Sequence, residues 1–139
     1  MTGYAGEISP KEAWDKLAND AKVRLVDVRT EAEWSFVGVP DLAALGKRTA
    51  FIEWLSFPSQ TLNPRFFEEI KAAGIETDRS VLLLCRSGAR PAQAARVLTA
   101  AGYDRCFNLA DGFEGPTDDA GHRGHEAGWK AAGLPWQQR

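Results

Sequence analysis

Cysteine, histidine and methionine are scarce in this chain of 139 residues, which has two cysteines, two histidines and one methionine. Two cysteines form at most one disulfide, and a chain of this length in a reducing compartment keeps both as thiols. An excess of positive charge is also missing, because 17 basic side chains stand against 19 acidic ones and the net charge is -2. Binding of nucleic acid or of an anionic membrane through bulk charge is therefore not expected.

Long hydrophobic runs are absent too. No apolar stretch approaches the roughly 20 residues that a membrane span needs. The beginning, MTGYAGEISPKEAW, lacks the basic start, the apolar run and the small-residue cleavage site of a signal peptide. We therefore expect a cytoplasmic protein. With 44% hydrophobic and 26% charged residues the composition is ordinary for a globular protein, and the length predicts one domain over residues 1–139.

Strand-like and helix-like segments alternate along the chain. Ser9, Pro10 and Glu12 form a capping-box signature for a helix that ends near Asn19. Further helices are predicted after Thr30, from Asn63-Pro64 to Gly74 and from Pro91 to Gly102, and strands over residues 23–28, 49–55, 80–84 and 103–109. Residues 57–65 read as a loop. The alternation predicts an α/β fold with a central parallel sheet flanked by helices on both faces.

The end of the chain has a different character. Five glycines lie between Gly112 and Gly128, around a charged segment. This composition predicts an irregular C-terminal extension over about residues 115–139. We expect a short helical piece near residues 126–132 that packs Trp129 or Trp136 onto the body, and a solvated surface for Arg123, Lys130 and Arg139.

The segment VLLLCRSGARP at residues 81–91 places Cys85 between the most apolar strand and a helix. In parallel α/β sheets, ligands bind beyond the carboxyl ends of the strands, and a helix amino terminus favours an anion. Arg86 and Arg90 add positive charge. The surroundings therefore predict a thiol pKa for Cys85 below the ordinary value of about 8.5, and reaction as a thiolate. The alternative interpretation is a buried, inert cysteine beside a solvated loop.

The residues between the two arginines are small, so a tight turn can aim successive backbone N–H groups at one anion. Thiolate Cys85 would attack the outer sulfur of a donor, and the persulfide would be held by these N–H groups. No general base is needed, which agrees with the lack of a histidine near the loop. We predict one catalytic residue, Cys85, and a set of substrate-binding residues: Arg86, Ser87, Gly88, Ala89 and Arg90.

These residues resemble the rhodanese (sulfurtransferase) family. The resemblance is carried by LVDVRTEAEW at residues 25–34, CRSGARPAQAARVLTAAGY at 85–103, NLADGFEG at 108–115 and the ending GWKAAGLPW. It covers roughly residues 8–136 and implies a single rhodanese-like domain that moves sulfane sulfur through a cysteine persulfide, without metal or cofactor. The implied partners are a small anionic donor such as thiosulfate and a cyanide or thiol acceptor. The chain departs from the family at residues 36–41, FVGVPD, where a His-Ile-Pro-Gly-Ala type turn is common, and in a longer insertion through Pro58.

Two other functions compete with sulfur transfer. Rhodanese-like domains also act as persulfide carriers or as docking modules for partner proteins, with incidental turnover. Cysteine-dependent phosphatases and the similar arsenate reductases have a Cys-x5-Arg loop that surrounds a tetrahedral oxyanion. In this chain only four residues separate Cys85 from Arg90. The shorter loop favours a single sulfur atom over a phosphoryl group.

Several residues elsewhere have a structural interpretation as well as a functional one. Asp27 and Arg29 are expected to form a structural ion pair at a strand end. Cys106 is expected to be buried and inert, with a disulfide to Cys85 as the alternative. His122 and His125 suggest a metal site, but two histidines in a solvated glycine-rich loop rarely form a closed one, and no metal is predicted.

Overall fold

The computed structural model describes residues 4–56, 59, 61–86, 90–124 and 127–138. Strands and helices alternate along them, with one 3-10 turn at Ala43–Leu45. The helices are α1 (Pro10–Asn19), α2 (Glu31–Val37), α3 (Phe66–Ala72) and α4 (Arg90–Ala100). The strands are β1 (Gly6–Ile8), β2 (Val23–Asp27), β3 (Val39–Pro40), β4 (Ala50–Phe51), β5 (Leu55–Ser56), β6 (Thr61–Leu62), β7 (Ser80–Leu84), β8 (Cys106–Leu109) and β9 (Trp136–Gln137).

Five of the strands form one parallel sheet in the order β1-β8-β7-β2-β4. The apolar strand β7 lies at its centre and pairs with β2 from Val23 opposite Ser80 to Asp27 opposite Leu84. The predicted α/β fold is confirmed. Because all five strands run in the same direction, their carboxyl ends meet at one edge, and the residue after β7 lies in the middle of that edge.

Helices and connecting segments cover both faces of the sheet, as the sequence predicts. On one face Val81 and Leu83 of β7 pack against α3 and α4. On the other face Leu82 and Leu84 pack against α1, Phe113 and Trp129. Alternate residues of one strand thus enter two separate cores, which is why β7 reads as an uninterrupted apolar run.

The starts of two helices follow from local sequence. Ser9 caps α1 and Thr30 caps α2, and in both helices a glutamate three residues later, Glu12 or Glu33, completes the capping box. Two of the backbone N–H groups that a helix start leaves without partners are satisfied in this way. The positions of both helices are therefore predictable from a few residues.

The region between α2 and β7 differs from the prediction. Helix α3 begins at Phe66 with Arg65 as its N-cap, not at Asn63. The Asn63 side chain instead accepts a hydrogen bond from the Arg65 N–H and donates to the Glu53 carbonyl and to Glu69. The strand predicted over residues 49–55 is divided into β4 and β5. Strand β5 forms an antiparallel pair with β6, which lies in the stretch predicted to be a loop.

The end of the chain is fixed to the body by a strand that the sequence does not reveal. Strand β9 pairs antiparallel with β3, with Trp136 opposite Pro40. The helical piece predicted near residues 126–132 is wrong, because the described residues 127–133 form bends and turns. Trp129 is completely buried, as expected. In the described part of the chain no helix combines the length and apolar character needed to cross a membrane.

Candidate active site

Cys85 directly follows β7 at the carboxyl edge of the sheet and is 1% exposed. Its carbonyl oxygen accepts a hydrogen bond from the Phe113 N–H at 2.7 Å. Helix α4 begins at Arg90, so the connection from the central strand to the helix is only five residues long. The short connection keeps the cysteine between the end of a buried strand and the start of a helix, as the sequence predicts.

The turn after β8 supports this connection from one side. The Arg86 carbonyl accepts hydrogen bonds from Glu114 N–H at 2.9 Å and Gly115 N–H at 3.1 Å. Gly112 has a φ of 62°, and a Cβ atom there would overlap the carbonyl oxygen of Cys85. Only glycine permits both the positive φ and this close backbone approach. The backbone of residues 112–115 therefore fixes the two residues at the start of the cysteine loop.

A buried ion pair lies on the neighbouring strand. Arg29 Nη2 donates to Asp27 Oδ2 at 2.8 Å and to the Gly38 carbonyl at 2.8 Å, and both side chains of the pair are fully buried. The guanidinium carbon lies 4.3 Å from the centroid of the Phe113 ring. The predicted structural pair of Asp27 and Arg29 is confirmed. Its guanidinium also packs on the ring of Phe113, whose N–H donates to the Cys85 carbonyl.

The C-terminal segment around Trp129 and Lys130 packs over the turn that follows β8. Trp129 N–H donates to the Gly112 carbonyl at 2.9 Å, and Lys130 N–H donates to the Phe113 carbonyl at 3.1 Å. The prediction of a solvated Lys130 is wrong: its Nζ donates to the Val37 carbonyl at 3.1 Å and lies 3.9 Å from the centroid of the Trp136 ring. Burial lowers the pKa of Lys130, an effect that Glu114 opposes and Arg29 adds to.

Cys106 occupies the other end of the sheet. It is the first residue of β8, lies opposite Val81 and is fully buried. Burial raises the pKa of the Cys106 thiol to about 12, so the predicted inert thiol is supported. Cys85 is four residues beyond Val81, or ~13 Å along the strand, whereas a disulfide needs Cα atoms within about 7 Å. Neither cysteine is in a disulfide, and the separation along the sheet contradicts the alternative of a bridge between them.

The glycine-rich segment around His122 is organised by hydrogen bonds between side chains and the backbone. Asp118 Oδ1 accepts hydrogen bonds from the N–H groups of Ala120 and His122, both at 2.9 Å. Arg123, predicted to be solvated, donates from Nη1 to the Gly115 carbonyl at 2.7 Å. Within the described part, no three His, Cys, Asp or Glu residues are gathered as a metal site requires. The predictions for His125 and Arg139 fall outside the described residues.

The described residues thus include part of the predicted site. Cys85 and the exposed Arg86 are placed at the carboxyl edge of the sheet, and the backbone of Arg90 starts α4. Ser87, Gly88, Ala89 and the Arg90 side chain lie outside the described part. Sequence reasoning misses the supporting residues Phe113 and Lys130. The sequence feature that points to this supporting layer is the set of glycines at 112, 115 and 128, each of which lies in close contact with another part of the backbone.

Comparisons with known proteins agree with this architecture. The model of the STR4 middle-domain family matches residues 5–139. The crystal structure of Rv0390 from M. tuberculosis superimposes with a TM-score of 0.86 at 47% identity, over 98% of this chain and 99% of that one. A rhodanese-like domain protein from Staphylococcus aureus has the same fold, with a TM-score of 0.60 at 21% identity over 94% and 96% of the two chains.

A curated relative connects the fold to an activity. It is a protein of Allochromatium vinosum named sulfurtransferase, 34% identical over 107 residues, which are 77% of this chain and 83% of the relative. The fold and its cysteine edge define a rhodanese-like domain. Within that class, the chain belongs to the family of STR4 middle domains.

Proposed function

We propose that this protein is a sulfurtransferase that carries sulfane sulfur as a persulfide on Cys85, from an anionic donor such as thiosulfate to a cyanide or thiol acceptor. The observation that carries the proposal is the position of Cys85, between the end of the central strand β7 and the start of α4. The name of the Allochromatium vinosum relative supports the same reaction class. No cofactor or metal is required by the chemistry.

The reaction is balanced without an external oxidant. The Cys85 thiolate attacks the outer sulfur of thiosulfate, a new S–S bond forms to Cys85, and the S–S bond of the donor breaks. Its electron pair leaves with sulfite. In the second half-reaction, cyanide or a thiolate attacks the outer sulfur of the persulfide, takes it as thiocyanate or as a new persulfide, and releases the Cys85 thiolate.

In this proposal the anionic donor is bound by the charge of the arginines, and its outer sulfur by backbone N–H groups. Arg86 is exposed beside Cys85, where its guanidinium attracts a dianionic donor. Ser87, Gly88 and Ala89 provide the backbone N–H groups that hold the outer sulfur, and Arg90 contributes positive charge or braces the loop. Because Cys106 is too far away to resolve the persulfide, the acceptor has to come from outside the chain.

Mass spectrometry after incubation with a panel of donors tests the proposal. We expect thiosulfate to add one sulfur atom to Cys85, and cyanide to remove it as thiocyanate. The Cys106→Ala protein is the matched control and should gain sulfur equally well, whereas Cys85→Ser should gain none. Absence of added sulfur with every donor, or turnover of phosphate esters or arsenate instead, would contradict the assignment.

A persulfide carrier or protein-docking module is the second candidate function. The observation that favours it is the side chain of Phe36 on α2, which is 84% exposed. A protein acceptor would bring its own thiol to Cys85, and turnover with small donors would then be incidental. In pull-down experiments, Cys85→Ser protein that loses turnover but still captures a partner would support docking. Loss of both would support the enzyme alone.

The remaining parts of the proposal concern organisation and location. Residues 1–139 are proposed to form one domain, in which the irregular segment over about residues 115–139 packs on the cysteine edge through Trp129 and Lys130. A cytoplasmic location is proposed because a reducing compartment keeps Cys85 as a thiol between turnovers. The phosphatase or arsenate reductase alternative remains disfavoured by the four-residue spacing of Cys85 and Arg90.

A further inference from the structure

The ammonium group of Lys130 is held between two aromatic rings and one carbonyl. Its Nζ lies 3.9 Å from the centroid of the Trp136 ring and 5.3 Å from that of the Phe113 ring. It donates to the carbonyl of Val37, at the end of α2, at 3.1 Å. One side chain therefore joins the last strand of the chain, the end of a helix and the turn beside Cys85.

Phe113 connects this cluster to the nucleophile. Its backbone N–H donates to the Cys85 carbonyl at 2.7 Å, and its ring contacts the Arg29 guanidinium as well as the Lys130 ammonium. The Trp136 ring meets the Phe113 ring edge-on, with centroids 6.2 Å apart. The Phe113 carbonyl also accepts a hydrogen bond from the Lys130 N–H, so the backbone of this one residue is bonded to both Cys85 and Lys130.

The two cations on the Phe113 ring differ in their charge balance. Arg29 is neutralised by its buried ion pair with Asp27. For Lys130, no carboxylate oxygen among the described residues lies within ion-pair distance, although Glu114 attracts its charge from further away. The ring faces and the Val37 carbonyl are thus the main partners of the ammonium group. A partly desolvated cation in such a setting contributes a larger cation–π attraction than an exposed one.

We propose that Lys130 is a positioning residue for the Cys85 loop, which it holds in its reactive geometry through Phe113. The inference rests on the proposed function of Cys85 as the sulfur carrier. It assigns a task to the C-terminal segment that neither the fold nor the cysteine loop by itself implies. Lys130 does not need to touch the donor, because its ammonium group is already occupied by the rings and the carbonyl.

The test compares Lys130→Met, which removes the charge but keeps a long side chain, with Lys130→Arg, which keeps the cation. Two probes are used on the full chain: the rate constant for alkylation of Cys85 by iodoacetamide, and the formation of the Cys85 persulfide from thiosulfate. We expect Lys130→Met to lower both rates about tenfold, and Lys130→Arg to restore them to within about threefold of the unmodified protein. For turnover, kcat should fall while the KM for thiosulfate stays nearly constant.

Lys16→Met is the matched control, because Lys16 also lies over an aromatic ring, that of Phe107, at 5.2 Å, and Phe107 pairs with Leu82, three residues before Cys85 on the neighbouring strand. Its alkylation rate should equal that of the unmodified protein. Trp136→Leu is a second probe that leaves the lysine in place and should lower the alkylation rate in the same direction. It also provides an independent measurement if Lys130→Met does not fold.

Specific outcomes would overturn the proposal. Folded Lys130→Met protein with a lower melting temperature but an unchanged alkylation rate would show that the lysine has a structural role only. A raised KM for thiosulfate with unchanged alkylation would mean that Lys130 contacts the donor. If thiosulfate adds no sulfur even to the unmodified protein, the proposed function fails, but the alkylation comparison still decides the role of Lys130.

Discussion

Cys106 lies on β8 and Cys85 directly follows the adjacent strand β7; both belong to the same apolar cluster, and neither is more than 1% exposed. They differ in the edge of the sheet that they occupy. Cys106 begins β8 and is enclosed by apolar side chains, which raise its thiol pKa to about 12. Cys85 follows the end of β7, beside an exposed arginine and close-packed turns. Burial alone therefore does not separate the inert Cys106 from Cys85, which we propose to be reactive, whereas the edge of the sheet that each occupies does.

The largest expected effect is in thiol labelling. With a pKa of about 12, Cys106 is ionised in only on the order of one molecule in 10⁵ at pH 7. Iodoacetamide should therefore label Cys85 at least about a thousandfold faster than Cys106 in the folded protein. Mass spectrometry of peptides after timed labelling gives the ratio. Comparable rates at the two positions would remove the distinction between the two edges.

A smaller effect is expected from the close backbone contact at Gly112. Gly112→Ala should lower the free energy of unfolding by about 3 kcal/mol, because a Cβ there combines a positive φ with overlap on the Cys85 carbonyl. Gly121→Ala is the control and should lose only about 1 kcal/mol, since Gly121 has a φ of 78° but a Cβ added there would meet no atom within 4 Å. Urea denaturation measures both. Equal losses would indicate that only the backbone angle matters.

The smallest effect concerns the pH dependence of stability at the Cys106 edge. The folded state holds the Cys106 proton more tightly than the unfolded state, so this contribution is fully present below about pH 9 and is lost as the pH rises towards 12. The expected slope is at most about 1.4 kcal/mol per pH unit. Comparing unfolding of the unmodified and Cys106→Ala proteins across this window isolates it. Parallel curves would mean that Cys106 is not protected from ionisation.

The parts of the fold predictable from sequence are those determined by a few neighbouring residues. The capping boxes at Ser9 and Thr30 locate α1 and α2, and the apolar run of β7 identifies the centre of the sheet and the position of Cys85. Gly102, with a φ of 110°, marks the end of α4. In each case the information is contained within a short stretch of chain.

The features that sequence reasoning misses depend on partners far along the chain. Strand β9 is two residues long and exists because it pairs with β3, almost a hundred residues earlier. Lys130 resembles a surface lysine, since nothing near it in sequence indicates Val37 or Phe113 as neighbours. Asn63 resembles a helix cap, but its side chain binds Glu53 and Glu69 in addition to the local backbone.

The stacking of backbone on backbone at Gly112, Gly115 and Gly128 has a practical consequence for handling the protein. A Cβ at Gly115 would overlap the carbonyl of Ala127, and one at Gly128 would lie 2.9 Å from the carbonyl oxygen of Gly112. These backbone contacts fix the segment that ends in β9 to the cysteine edge, in addition to the side-chain contacts of Lys130 and Trp136. Purification tags and reporter fusions should be attached at the amino end, because β9 follows a segment whose backbone packs on the turn that bonds to the Cys85 carbonyl.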